Sequence, residues 1–264
     1  MIIQGNRAVA FFDILGFKNM INNSSLSSLA EKYEKIISNT EGEASIDDSG
    51  AITRKQVCHR FIFLDSIFLI AQEDSVDSFI DLVSYSWRMM QFFIAAGFPL
   101  RGAITYGDLY ANFEKNIFLG KAISDAAVLE GKQNWIGAIA DDSAVDRYAE
   151  AFEGDTVQTA VMNSLLPKYL AVPFKDETER SYRVINWRQN MVSEDGIKAL
   201  FKNEPFDANA QIKIDNSLRF SKEVVNTGYA YFMDINVPQR YRRLYIGHKT
   251  PTKGDPMFRN GDEY

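Results

Sequence analysis

Cysteine, histidine and long apolar runs are all scarce in this sequence, and each scarcity removes a class of function. Its 264 residues hold one cysteine, Cys58, and two histidines, His59 and His248. A single cysteine excludes any internal disulfide and any multi-cysteine zinc site. With two histidines a histidine-rich metal cage is excluded as well, so a metal must be held mainly by oxygen, which suggests magnesium or manganese rather than zinc. No segment approaches the roughly 18 consecutive apolar residues of a membrane span. The opening residues Met1 to Arg7 lack a charged start followed by an apolar stretch and a cleavage site, so a cytoplasmic protein without membrane contact is expected. Basic residues are outnumbered, 29 against 35 acidic ones, for a net charge of −6. That balance argues against a protein that binds nucleic acid by broad phosphate neutralisation.

What is present suffices for a core. Hydrophobic residues make up 46% of the chain, which excludes global disorder, and the length fits one large domain or a domain with an appendage. Ala8 to Phe12 is a short apolar run stopping at Asp13, read as a buried strand with a carboxylate at its end. Leu26 to Ser38 has helical spacing, and the polar stretch Glu41 to Gly50 reads as a loop. Arg60 to Ile70 is two apolar runs broken at Asp65-Ser66, the pattern of a tight hairpin. Val76 to Ala96 is a long helix with Phe79, Val83, Trp87, Met90 and Ile94 on one stripe. A strand over Leu100 to Tyr106 is followed by an expected turn at Gly107-Asp108. Beyond it come a helix over Gly120 to Glu130, a strand over Trp135 to Ala140, a mostly helical stretch from Asp146 to Leu166, and a strand over Tyr182 to Trp187. Asp195 to Lys202 and Asn216 to Asn226 read as helices. The order predicts an α+β sandwich, a mostly antiparallel sheet with helices on one face. Residues 1–190 are expected to form the main domain, 191–250 a helical C-terminal extension and 251–264 a flexible tail.

Asp13 and Asp65 each end an apolar strand run. If those strands are neighbours, the two carboxylates meet, and such an oxygen pair can hold two divalent ions roughly 3.5–4 Å apart for phosphoryl chemistry. The words around them resemble a known family. Phe11-Phe12-Asp13-Ile14-Leu15-Gly16-Phe17 resembles the opening signature of class III nucleotidyl cyclases. Phe63-Leu64-Asp65-Ser66 occupies the place of the hairpin carrying that family's second metal aspartate. Leu100-Arg101-Gly102 through Gly107 resembles its arginine-led strand, and Gly120 to Leu129 its small-residue helix. The resemblance is collinear over residues 7–187. It implies a ferredoxin-like class III cyclase sandwich that forms a homodimer with shared active sites. It also implies that Asp13, Asp65 and the carbonyl of Ile14 bind two Mn²⁺ or Mg²⁺, and that Arg101 and Lys175 address the phosphates of a nucleoside triphosphate.

The departures from the pattern are informative. Where the family's helix has an asparagine and an arginine acting on the ribose and the transition state, this chain has Ser124 and Val128. Loss of one such electrostatic donor costs on the order of 10²–10³-fold in rate, unless Lys121, Lys132, Arg60 or another arginine substitutes. The base-reading positions hold Phe61 and Ile117, which cannot read a purine edge by hydrogen bonding. An aromatic that stacks or fills space suits a smaller base. On these grounds the chain resembles most the bacterial pyrimidine cyclases of the Pycsar antiphage defence system. That resemblance implies cyclic UMP, before cyclic CMP, as a signal read by a separate effector. The alternatives are an adenylate cyclase with an altered base pocket and a catalytically degenerate nucleotide-binding dimer. The basic-aromatic run Arg240-Tyr241-Arg242-Arg243 is read as a salt-bridged surface or a dimer contact rather than a nucleic-acid site.

Overall fold

The first strand sends its side chains to two different environments. Ala8, Ala10, Phe12 and Ile14 belong to the large core with the long helices, while Val9 belongs to a second apolar cluster with Ile3, Ile70, Leu109 and Ala122. Successive strand residues face opposite ways, so a strand apolar at every position must be covered on both sides. The computed structural model describes residues 1–40, 44–46, 52–54, 56–154, 157–188, 194–200 and 208–226. In chain order the elements are β1 (Ile2–Ile14), α1 (Phe17–Asn23), α2 (Leu26–Thr40), β2 (Ala44–Ile46), β3 (Ile52–Arg54), β4 (Cys58–Phe63), β5 (Ser66–Ala71), α3 (Val76–Ala95) and β6 (Leu100–Asn112). They continue with β7 (Ile117–Leu119), α4 (Lys121–Lys132), β8 (Gly137–Ala140), α5 (Asp142–Arg147), α6 (Val157–Leu165), β9 (Lys168–Pro173), β10 (Glu179–Val184), α7 (Glu194–Ala199) and α8 (Ala208–Asn226).

The main sheet runs in the order β4-β5-β1-β6-β8-β10-β9, with β7 paired to the far end of β6. Its first four strands are antiparallel neighbours. With α1–α2 between β1 and β4, and α3 between β5 and β6, this is the βαββαβ order of a ferredoxin-like sandwich. The pairing of β6 with β8 is parallel; the other pairings are antiparallel. The expected α+β sandwich with a mostly antiparallel sheet is therefore what the chain forms.

Several boundaries differ from the expectations. The strand carrying Asp13 is longer at both ends and runs through that residue. Gly107-Asp108 is not a turn but lies inside β6, where it pairs with Arg7 and Asn6 of β1. The hairpin turn is Leu64-Asp65, one residue earlier than expected, and Ser66 already pairs with Phe63. Part of the expected loop 41–50 is strand, β2 paired with β3, and β9 has no counterpart among the expected strands. The stretch 146–166 is not one helix: α5 ends at Arg147, a 3₁₀ turn spans Ala149–Ala151, and α6 starts at Val157. Helices do not keep to one face either, since α4 packs on β1 and β6 through Ala122 in the second cluster. The two helices expected beyond Trp187 are present as α7 and α8; the tail 251–264 and the run Arg240-Tyr241-Arg242-Arg243 lie outside the described residues.

α3 is capped by Ser75, whose hydroxyl accepts from the backbone N–H of Ser78 at 3.3 Å. It is buried nearly all round, from Phe79 to Ile94, because it lies between the sheet and the flanking helices. No helix among the described residues is long and apolar enough to cross a membrane. In the sheet, Gly102 faces Phe12 across the ladder. A methyl on Gly102 would lie 2.4 Å from the Phe12 ring and 2.7 Å from the Phe11 carbonyl oxygen. Overpacking of this kind costs about 1–3 kcal/mol, so Gly102→Ala is expected to lower the urea midpoint without changing the denaturant slope. An unchanged midpoint would mean that the two strands separate freely here.

Candidate active site

Strand register brings the two sequence-selected carboxylates together. Asp13 pairs with Ser66 on one side and with Arg101 on the other. Directly paired antiparallel residues project to one face of a sheet, so Asp13 and Arg101 lie side by side. The β4–β5 turn is pinned to the end of β1 by the Ile14 backbone N–H, which donates to the Asp65 carbonyl at 3.0 Å. This bond fixes Asp65 beside Asp13. Leu64, in the same two-residue turn, has a left-handed φ of 54°. A bulky residue is uncommon in that region and pays for it in strain. Ile14 itself is buried, so its side chain is not available to a ligand.

Three charged groups close in around this pair. Arg101 is buried, and its Nε donates to Glu130 Oε1 at 2.5 Å while its Nη1 donates to the Gln133 carbonyl at 3.0 Å. Glu130 comes from the last turn of α4 and is also buried. Gln133 is fully used: its amide donates to the carbonyls of Gly102 and Leu129, and its side-chain oxygen accepts from Trp135 Nε1. Lys175 is exposed at the turn after β9; its backbone N–H donates to the Lys132 carbonyl at 2.8 Å. Its ammonium lies within electrostatic reach of Asp13, Glu130 and Arg101.

The electrostatics follow from this crowding. Burial raises the Asp13 carboxyl to about 7, Glu130 and Asp65 add to the rise, and Arg101 and Lys175 oppose it. Burial also raises Glu130, against the pull of its Arg101 partner. Although Lys175 is exposed as a residue, the partial desolvation of its ammonium comes first, and then repulsion from Arg101, in holding it below the usual lysine range. A carboxylate that remains half-protonated near neutral pH beside two others is short of positive charge. The described residues contain no group of three or more histidine, cysteine, aspartate or glutamate side chains placed to hold a metal. Asp13 and Asp65 nonetheless fit a hard divalent ion of the magnesium kind, which takes one or two carboxylates and completes its shell with water and substrate phosphate oxygens.

The remaining expected site residues are placed differently. The Phe61 ring lies 4.5 Å from that of Phe118 and 6.3 Å from that of Phe68, and Phe68 meets Phe11 at 4.8 Å. An aromatic strip thus leads across the sheet toward the strand that carries Asp13. Its partner for Phe61 is Phe118 rather than the adjacent Ile117, which is 38% exposed. Ser124 is exposed on α4, as is Val128 four residues on, and no hydrogen bond joins Ser124 to the carboxylate pair. The sequence reading missed Glu130 and Gln133. A glutamate three residues ahead of a glutamine at a helix end looks like ordinary surface until the strand beneath supplies a buried arginine.

No family model matches the chain, and no curated protein does. Among solved structures, the adenylyl cyclase CyaB from P. aeruginosa is similar with a TM-score of 0.46 and 12% identity, over 70% of this chain and 96% of that one. The guanylate cyclase domain of RhGC from Catenaria anguillulae, in complex with GTP, is similar with a TM-score of 0.42 and 12% identity, over 70% and 98%. The catalytic core of a rhodopsin-guanylyl cyclase with converted specificity, in complex with ATPαS, gives 0.44 and 13%, over 70% and 97%.

Two measurements probe the electrostatics. An Asp whose folded pKa is about 7 against an ordinary value of 3.8 keeps its proton on folding, so its contribution to stability is lost as pH rises from about 4 through 7. Asp13→Asn, which needs no proton, is expected to melt higher than the parent at pH 8, with the gain shrinking toward pH 5; a pH-independent difference would contradict the assignment. Glu130→Ala leaves the Arg101 guanidinium buried without its main partner, and breaking a buried pair costs about 3–5 kcal/mol. Denaturant titration at pH 7 should show a loss of that order.

Proposed function

We propose that the chain is a metal-dependent nucleotidyl cyclase that converts UTP, or CTP, to the 3′,5′-cyclic nucleotide and pyrophosphate. The observation that carries this reading is the placement of Asp13 and Asp65 side by side at the ends of neighbouring strands, next to Arg101 and Lys175. Asp13, Asp65 and Arg101 lie in motifs that resemble the class III cyclases in the same order, and Lys175 follows where that family has a phosphate-binding lysine. In the reaction the ribose 3′ oxygen attacks the α-phosphorus and pyrophosphate leaves. Two divalent ions, Mn²⁺ or Mg²⁺, bound by Asp13, Asp65 and the Ile14 carbonyl would acidify the attacking hydroxyl and neutralise phosphate charge. The Lys175 ammonium, which has no ion pair among the described residues, would meet the leaving phosphates. Arg101 acts from below, as a fixed positive charge held by Glu130 and Gln133.

Pyrimidine preference is supported by the strip of Phe61, Phe118 and Phe68, an apolar surface for stacking a small base without reading a purine edge. Ile117 flanks that strip. Ser124 contributes its hydroxyl from a second copy of the chain, because it faces outward on α4 and a homodimer with shared sites brings such a face to the partner's carboxylates. Val128, one turn on from Ser124, is likewise exposed, as are Phe63 and Leu64 at the β4–β5 turn, and apolar side chains of this kind are available to such an association. The product would serve as a second messenger in antiphage defence, read by a separate effector protein. A second reading, a nucleotide-binding dimer that has lost turnover, is favoured by Val128, which replaces a cation, and by the commitment of Arg101 to Glu130.

The purified chain incubated with Mn²⁺ and each of the four ribonucleoside triphosphates is expected to give cyclic UMP or cyclic CMP by chromatography and mass. Asp13→Ala and Asp65→Ala should each lower the rate by at least roughly 10²-fold. Cyclic AMP as the main product would remove the pyrimidine assignment and leave the cyclase. Tight nucleotide binding without any product would support the second reading.

A further inference from the structure

The helix α8 was expected only as part of an appendage, yet it is fastened to the strip of chain that holds the site. Asn216 Nδ2 donates to the Asn134 carbonyl at 2.8 Å, and the Ile136 backbone N–H donates to Ser217 Oγ at 2.8 Å. Phe220, one turn further, is fully buried against Trp135, Tyr169 and Trp187. The segment these residues grip, Asn134 to Ile136, is continuous with Lys132, which accepts from Lys175, and with Gln133, which accepts from Arg101. Helix α8 and the charged cluster therefore hold the same short stretch of backbone.

Lys213 sits one turn before Ser217, whose hydroxyl donates to the Lys213 carbonyl at 2.6 Å. It is half-buried and has no ion pair with a carboxylate among the described residues. Its charge reaches Lys175, which it repels together with Arg101. Lys175 thus lies within electrostatic reach of both Arg101 and Lys213, and of these three cations Arg101 alone has an ion-pair partner among the described residues, Glu130. Such repulsion is relieved when a polyanion binds.

We propose that Lys213 of α8 completes a three-cation cradle with Lys175 and Arg101 for the polyphosphate chain of the substrate, so that the C-terminal helix is part of the binding site. This rests on the nucleoside triphosphate reading above and extends it to a residue outside the family-like motifs. Lys213 addresses the outer phosphates, away from the base and from Asp13.

The test is binding of inorganic tripolyphosphate, UTP and UMP to the full chain with Mn²⁺, by titration calorimetry, for the parent, Lys213→Ala, Lys213→Glu, Lys213→Arg and the control Lys168→Ala on the edge strand. One charge-assisted contact corresponds to about tenfold in affinity. Lys213→Ala should weaken tripolyphosphate and UTP about tenfold and leave UMP unchanged, Lys213→Glu should weaken them further, Lys213→Arg should restore them, and Lys168→Ala should match the parent. If the parent cyclises UTP while Lys213→Ala binds as tightly as the parent, the cradle is overturned and the cyclase stands. If tripolyphosphate binding depends on Lys213 but no triphosphate is cyclised, the cradle stands and the cyclase reading falls. No polyphosphate binding by the parent overturns both.

Discussion

The pairing of β1 with β6 is the constraint on which the rest of the structure depends. It runs unbroken from Ile2 opposite Asn112 to Ile14 opposite Leu100. Each step of a regular antiparallel ladder fixes the next, and a slip of one residue would turn every side chain to the other face. Phe12 therefore fills the space over Gly102, Val9 turns toward α4, and Asp13 is delivered beside Arg101. No local preference of Asp13 or Arg101 brings them together; the apolar residues between Ala8 and Ile14 do so by their burial.

That ladder places charge where charge is costly. Arg101 and Glu130 are buried together, and Asp13 sits between burial and like charge with its carboxyl raised to about 7. A buried pair seldom repays its desolvation in stability, and a strained residue such as Leu64 adds to the cost. Proteins tend to keep such local conflicts where a ligand relieves them. Here like charges crowd on both counts, carboxylates at Asp13, Asp65 and Glu130 and cations at Arg101, Lys175 and Lys213. A metal–polyphosphate complex is the ligand that would answer both needs at once.

Much of this arrangement was legible in the chain. Apolar runs gave β1, β5 and β6, helical periodicity gave α2 and α3, and carboxylates at the ends of apolar runs marked Asp13 and Asp65. The misreadings have physical causes. Gly107-Asp108 has turn composition, but partners on β1 extend the strand through it because Leu109 and Ala111 bury beyond. β9 and β10 lie at the sheet's far end, where alternation is blurred by exposed Leu170 and by a bulge between Arg180 and Tyr182. Helix α4 carries enough polar residues to suggest an open surface, and the small side chains that let it approach the sheet, Ala122 and Ala126, speak only once Gly107 and Thr105 are seen beneath them.

The sequence by itself determined the α+β class, the strand–helix order around the two aspartates and the expectation that any metal is held mainly by oxygen. These follow from local periodicity and from which side chains exist at all. Tertiary structure alone decided that Arg101 is bound to Glu130, that Phe118 rather than Ile117 meets Phe61, and that α8 docks on Asn134 and Ile136 with Lys213 within electrostatic reach of Lys175. Each of those joins residues from different elements whose own neighbours carry no sign of the other, because register and helix docking are set by the burial of residues elsewhere in the core.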